Sequence, residues 1–327
     1  MLASRRALLA APALLVAAPA WAQAPRFPDR PLRLIIPFVP GGTTDILGRL
    51  LAQQMTPRLG QPVVAENRGG AGGSLGAEQV ANARPDGHTL LLSSNGSMTI
   101  NPLIQANLPY DPVRQLAPLG LCLTVPMLIV VRADHPARTL QEFVAMARAR
   151  PGALSVGSAG TGSSNHLAIE LFNAASGAGL THVPYRGSGP AMTDLLGGSL
   201  SSMCDQITTS LPLLRDGKVR LLAITADHRS PQAPDVPTLA EAGYPDAGMV
   251  TFMGLSATAP LPAEAQTRLV AAMRESLAEP VLRDRLQSVG AEVVHGPQAT
   301  PEGYAEFLRR DADKMKRAVA LAGLKPE

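Results

Sequence analysis

The residues able to do chemistry gather at two places, where a glycine-rich turn runs into hydroxyl groups and then an apolar helical stripe. The first is Pro40-Gly41-Gly42-Thr43-Thr44-Asp45. The second, about 115 residues later, is Ser158-Ala159-Gly160-Thr161-Gly162-Ser163-Ser164. A strand that ends in such a turn and opens a helix leaves backbone N–H groups unpaired at the positive end of the helix dipole. That arrangement holds anions. Read alone, either stretch is equally an ordinary strand-to-helix turn; their repetition suggests two lobes closing on one anion. Gly42 is expected to need positive φ and a close ligand approach, so a valine there should block one or the other.

Other chemistries find less support. Gly69 to Gly73 looks like a phosphate loop but lacks the P-loop lysine and the GxGxxG spacing, and reads as a plain turn. No serine sits in G-x-S-x-G, and Gly160-Thr161-Gly162-Ser163-Ser164 misses that spacing. The six histidines are dispersed without metal-ligand spacing, and there is no CxxC. Neither a metal, a cofactor nor an enzyme activity is expected. Aromatics make up 3% of the chain and no basic run occurs, which argues against a nucleic-acid partner. The formal charge of +3 includes Arg5 and Arg6; without them 27 basic residues face 26 acidic ones.

Both turns need elements to hold them. The 327 residues, 46% hydrophobic with 30 Gly and 30 Pro, suffice for two globular units rich in turns. At the N-terminus, Arg5-Arg6, an apolar run from Ala7 to Ala20 and Ala20-Trp21-Ala22 read as an export signal, cleaved after Ala22. Both the general secretory and the twin-arginine routes fit it. No stretch is long enough to span a membrane.

Leu34 to Phe38 is a buried strand leading into the first turn, and Ile46, Leu47, Leu50, Leu51 and Met55 mark the helix after it. Strands follow at Pro62 to Glu66 and His88 to Leu92, the latter ending in a polar loop, Ser93 to Ser97. Strands alternating with helices imply a parallel sheet, with ligands beyond the strands' carboxyl ends. The pattern restarts near Val125-Pro126. Leu128 to Val131 is a strand, Thr139-Leu140-Gln141-Glu142 a capping box, and Leu154 to Gly157 the strand before the second turn. Pro190 reads as the first position of a helix. Strands at Ser201 to Asp205 and Val219 to Thr225 complete a second sheet, and Met249 to Thr258 returns to the first. Helices near Ala263–Ala278, Val281–Val289 and Pro301–Ala322 should pack on the first lobe. Cys122 and Cys204 fall in different lobes and are expected to be buried free thiols.

Several longer motifs resemble one known family. They are Pro37-Phe38 with Gly41 to Asp45, Gly60-Gln61-Pro62-Val63-Val64, Glu66-Asn67-Arg68, Pro85-Asp86-Gly87, Leu108-Pro109-Tyr110-Asp111-Pro112, Gly157-Ser158 through His166-Leu167, and His182-Val183-Pro184-Tyr185-Arg186-Gly187. Asn101-Pro102, Asp194-Leu195-Leu196-Gly197-Gly198 and Pro234-Asp235-Val236-Pro237-Thr238 continue the pattern. In order and over nearly the whole mature chain, the sequence resembles tripartite tricarboxylate transporter receptors of the Bug, or TctC-like, type.

The resemblance implies an α/β fold, a two-lobed periplasmic binding protein of type II-like form, each lobe a mostly parallel sheet flanked by helices. Residues 27–125 plus 250–327 would form the first lobe and 126–249 the second. It further implies a monomeric receptor for a small carboxylate, working with integral-membrane transporter subunits. A sensor subunit presenting its ligand state to a two-component kinase uses the same fold and is the alternative. Ligand contacts would come from Phe38, Gly41, Gly42, Thr43, Thr44 and Asp45, and from Ser158, Gly160, Gly162, Ser163 and Ser164. Ser93, Ser94 and Asn95 would add polar contacts from the first lobe, and His166, Tyr185 and Asp205 from the second. His166 could equally cap or pack, and Tyr185 could brace the sheet edge. Met203-Cys204-Asp205-Gln206 departs from the family pattern, which places an aromatic before the Asp and an Asn after it.

Overall fold

The apolar run after Arg33 forms β1 (Leu32–Ile36), whose alternating side chains enter two different cores. Leu34 faces the layer that holds α1 (Thr43–Leu59), while Ile35 faces α2 (Ser74–Ala81) on the other side. A strand buried on both faces has no polar alternation, which is why this segment reads as a continuous hydrophobic run. A computed structural model describes residues 26–326; the leader expected over residues 1–22 lies outside the described residues.

Two sheets are built alike. In the first, β2 (Val63–Asn67), β1 and β3 (Thr89–Ser94) run parallel. In the second, β7 (Ser202–Gln206), β5 (Ser155–Ser158) and β6 (Thr181–Pro184) run parallel. Antiparallel strands complete each, so both sheets are mixed around a parallel core. β9 (Val250–Thr258) pairs with β3 and with β4 (Leu116–Arg132), and β4 also pairs with β7, β8 (Val219–Ile224) and β10 (Glu292–Val293).

β4 joins the sheets. Its first part pairs with β9 up to Val125↔Thr251 and Pro126↔Val250, and from Met127 onward it pairs in the second sheet. The sequence pattern appears to restart at Pro126 because proline usually ends a strand, yet here the strand runs through it. Register shifts between Pro118 and Gly120 and between Leu121 and Leu123 lie earlier in the strand, and the register through Pro126 is regular.

Helices cover both faces. α1, α8 (Ala263–Ala278) and α9 (Pro280–Ser288) share a core with α6 (Ser188–Gly197) and α7 (Ile207–Arg215). On the opposite face, α4 (Leu140–Ala149) and α5 (Ser164–Ser176) pack over the second sheet. α10 (Pro301–Leu321) serves both: Tyr304 packs with Ile35 and Phe252, whereas Met315, Ala318 and Val319 join the second core beside Phe143 and Leu167.

Two local readings change. The expected loop after β3 is instead strand to Ser94 and helical from Gly96 through α3 (Asn101–Ile104). Ser97 Oγ accepts the Ser94 N–H at 3.0 Å and donates to the Ser94 carbonyl at 3.1 Å, so a serine-rich run closes a turn instead of staying open. α6 begins two residues before Pro190, at Ser188, where the missing N–H is still among those without a helical partner. At α4, Thr139 Oγ1 accepts the Glu142 N–H, while the Glu142 carboxylate accepts from Arg138 N. Cys122 and Cys204 are both buried and free. No helix among the described residues is long and apolar enough to cross a membrane.

Candidate functional site

The two glycine turns face each other across the gap between the sheets. Between them lies a partly open cavity of about 20 Å³, room for one water. Gly42, Thr43 and Thr44 line it from α1, Ser164 and Asn165 from α5, and Ser188 from α6. Phe38, Ser94, Ala159, Gln206 and Thr251 complete the wall, which contains no charged side chain.

Helix starts dominate this lining. α1, α6 and α7 begin at Gly42, Gly187 and Gln206 with no side-chain cap, while Ser163 Oγ caps α5 by accepting the His166 N–H at 3.3 Å. First-turn N–H groups therefore converge on one small space, with the positive ends of their dipoles. Two buried hydroxyls among the lining residues, Ser94 Oγ and Thr251 Oγ1, have no hydrogen-bond partner. Donors without acceptors around a small space form a cradle for an anion.

The lobes are in contact around this cavity. Ser164 Oγ donates to Asn95 Oδ1 at 3.3 Å, and the Thr43 and Thr209 hydroxyls stand 3.5 Å apart. A Cβ placed on Gly72 would lie 2.4 Å from the Thr161 carbonyl oxygen. The two sides thus meet directly around the cavity.

The structure divides the expected site residues. Phe38, Gly42, Thr43, Thr44, Ser94 and Ser164 line the cavity. Others brace its walls. The Gly41 N–H is taken by Asp45 Oδ2 at 3.1 Å, and Asp45 Oδ1 binds Arg49 and Asn67, so this pair shapes the turn from behind. Gly41 carries a positive φ of +88°, whereas Gly42, expected to need one, is extended at −87°. Ser93 Oγ lies in the core, bonded to the Gly254 carbonyl and the Tyr304 hydroxyl. Asn95 Oδ1 accepts the Phe252 N–H at 2.9 Å.

The second turn is braced by two histidines. The Gly160 N–H donates to Ser158 Oγ, which is 2.6 Å from His182 Nε2, and the Gly162 N–H donates to His166 Nδ1 at 3.3 Å. Ser163 Oγ donates to the Gly160 carbonyl. These loop N–H groups, expected to meet a ligand, are spent inside the loop. The two imidazoles stack with centroids 4.2 Å apart. Burial pushes both down to about 4, helped at His182 by the neighbouring His166.

Ligating atoms of His166, Glu170 and His182 come within 4.8 Å of one another, a grouping of histidines that their sequence spacing hides. With Nδ1 accepting from Gly162, the His166 proton belongs on Nε2, the nitrogen facing Glu170 at 3.8 Å. The donor set therefore suits a loop brace better than a metal centre.

Asp205 is fully buried at the end of β7, beside but not lining the cavity. Its Oδ2 accepts from the Thr209 and Ser210 hydroxyls, and its Oδ1 has no partner. Burial raises its pKa and the surrounding hydroxyls oppose that rise. Tyr185 lies outside, its hydroxyl donating to Asp194 Oδ2 at 2.7 Å. Asn165, Ser188 and Thr251 were not singled out by the sequence, and Gln206 entered only as part of the Met203–Gln206 strip that departs from the family pattern. Asn165 and Ser188 lie on the first turns of α5 and α6, whereas Gln206 ends β7 and Thr251 lies within β9, so position on an element does not single them out together.

A family model for the tripartite tricarboxylate transporter family receptor matches residues 47–324. BugT of Bordetella pertussis is 34% identical over 311 residues, covering 95% of this chain and 94% of its own. Among solved structures, the periplasmic binding protein BugD has a TM-score of 0.89 at 36% identity, over 92% of this chain and 100% of its own. MatC from Rhodopseudomonas palustris, solved with bound malate, gives 0.86 at 36% identity, over 90% of this chain and 100% of its own.

Proposed function

Because the chain belongs to the family of tripartite tricarboxylate transporter receptors, we propose that it captures a small carboxylate between its lobes in the periplasm and presents it to integral-membrane transporter subunits. The observation that carries this reading is the small cavity where uncapped helix starts meet the partnerless hydroxyls of Ser94 and Thr251. A carboxylate accepts about four hydrogen bonds and carries the charge that helix N-termini favour. Each charge-assisted bond contributes roughly 1.5–3 kcal/mol. A few of these offset the cost of taking a carboxylate out of water without any buried cation. That malate occupies MatC is in keeping with this chemistry.

The lobes assigned on this reading are residues 27–125 plus 250–327, and 126–249. They are connected where β4 runs from one sheet into the other and where the chain enters β9 at Val250, opposite Pro126. The leader over residues 1–22 would take the chain to the compartment where such a receptor works.

A thermal-shift screen over small mono-, di- and tricarboxylates tests the reading. A bound acid at 100 times its Kd adds about 2.7 kcal/mol of stability and a clear rise in Tm. No shift with any of these acids, alongside shifts with neutral or cationic solutes, would overturn it.

A further inference from the structure

No charged side chain lines the inner cavity, yet a carboxylate stands directly behind its wall. Asp205 is fully buried, and three lining residues lead to it. Gln206 is its neighbour in the chain, and the Ser188 hydroxyl lies beside it. Thr43 reaches it through a relay: the Thr43 hydroxyl stands 3.5 Å from that of Thr209, which donates to Asp205 Oδ2. A line of hydroxyls thus runs from the cavity wall on α1 to a carboxylate on β7.

That carboxylate has no cation. The titratable groups on the elements packed against β7 are engaged elsewhere. On α5, His166 accepts from Gly162 and faces Glu170. Asp194 on α6 accepts from Tyr185, Arg215 on α7 donates to Gln232, and Arg132 at the end of β4 pairs with Asp134. β5 carries no such group, and on α1 Arg49 pairs with Asp45. Cys122 of β4 and Cys204 are buried thiols whose pKa values burial raises. Asp205 Oδ2 is held by two hydroxyls, while Oδ1 has no partner among the described residues. A bare charge there is costly, and a neutral carboxyl far less so. An anion in the cavity would add a second negative charge with only neutral groups between. Like charges that share a site without a cation do not both stay ionised.

We infer that Asp205 is the proton partner of the site: an acid anion enters the inner cavity together with one proton, which Asp205 holds while the anion stays. The inference rests on reading that cavity as a carboxylate site. The proton comes from solvent and forms an O–H bond on the Asp205 carboxyl, so capture leaves the charge of the site unchanged. Departure of the anion returns the proton to solvent. Capture is therefore favoured on the acid side and release on the alkaline side.

Calorimetry with succinate, malate and adipate from pH 6 to pH 9 tests this. These acids are almost wholly ionised over that range, His166 and His182, near 4, are neutral, and Cys122, near 12, keeps its proton. The affinity of the parent protein should fall about tenfold or more across the range. Titrations in buffers of different ionisation enthalpy should show uptake of about half to one proton per acid bound where the affinity is falling. Asp205→Asn keeps a neutral side chain of the same shape and should flatten the profile and abolish the uptake. Thr209→Val leaves the carboxyl in place but removes a donor that favours its charged form, and should move the fall in affinity to higher pH. A flat profile in the parent, or the parent's slope retained in Asp205→Asn, would overturn the proton partner while leaving the cavity's role standing. A parent protein that binds none of the three acids at any pH would remove both readings.

Discussion

Ser164 at the start of α5 donates a hydrogen bond to Asn95 just after β3, and the same Asn95 oxygen accepts the Phe252 N–H from β9. One amide oxygen thus ties α5 to the end of β3 and to β9 in the first sheet. Asn95→Ala would strand a buried backbone N–H and should cost about 1–3 kcal/mol of stability. Ser164→Ala removes only the bond between lobes, about 1 kcal/mol or fivefold in Kd, with little change in Tm. Melting curves and calorimetry on both variants separate the two effects.

The adjacent glycines of the first turn should respond differently. Gly41→Ala places a side chain at φ +88° and should destabilise the fold by about 1–2 kcal/mol. Gly42 has an ordinary extended backbone, and a Cβ there would point at Ser188 from 4.0 Å. Gly42→Val should fold normally and weaken carboxylate binding more than about tenfold by filling the cavity between the helix starts. Unchanged affinity with an unchanged Tm would mean that the anion binds elsewhere.

Acid should loosen the second turn. His166 and His182 sit near 4 in the folded protein against 6.5 for a free imidazole. The unfolded chain binds protons between these values that the folded protein does not. Their contribution is therefore complete above pH 6.5 and falls as the pH drops towards 4. Tm measured from pH 7 to pH 4.5 should decline, and His182→Gln should flatten that decline.

Closure should be visible in solution. The inner cavity has about 20 Å³ between lobes that touch, so entry of an acid is expected to require them to part. Small-angle scattering should give a larger radius of gyration without ligand than with a saturating acid. An equal radius in both states, both larger than this structure requires, would contradict closure on the ligand.

The thiols offer a check on packing. Burial pushes Cys122 up to about 12 and also raises Cys204, where the Asp205 charge adds to the effect. Neither should react with a thiol reagent in the native protein. Two should react once it is unfolded without reductant.

Much of the architecture is legible in the chain because its signals are local. The apolar run of β1, the glycine after it and the stripe of α1 each announce themselves within a dozen residues. α8 occupies the span its periodicity marks, Ala263–Ala278. The cavity is harder to read, since its lining is assembled by closure. Thr251 lies in a returning strand and Ser188 on a helix far along the chain, and nothing near either predicts that they meet Gly42. The glycine loops mislead for a different reason. Their N–H groups appear free until Asp45, Ser158 and His166 supply acceptors from within the same segment. Local side chains compete with a ligand for the same donors, and sequence spacing alone does not decide between them.

α10 has one further consequence. Its first half is held to the first lobe by Tyr304 and by Asp311, whose carboxylate accepts the Thr99 hydroxyl at 2.6 Å. From Met315 onward it is embedded in the second core. The rod is anchored at both ends, and the unanchored part between Asp311 and Met315 is a single turn, about 6 Å of axial rise. Any swing of one body against the other must pivot at that turn or slide the last third of the rod through a packed interior. Packed interiors resist sliding. If the two bodies swing, the helix is expected to act as a splint that limits how far they part, with that turn as its place to bend.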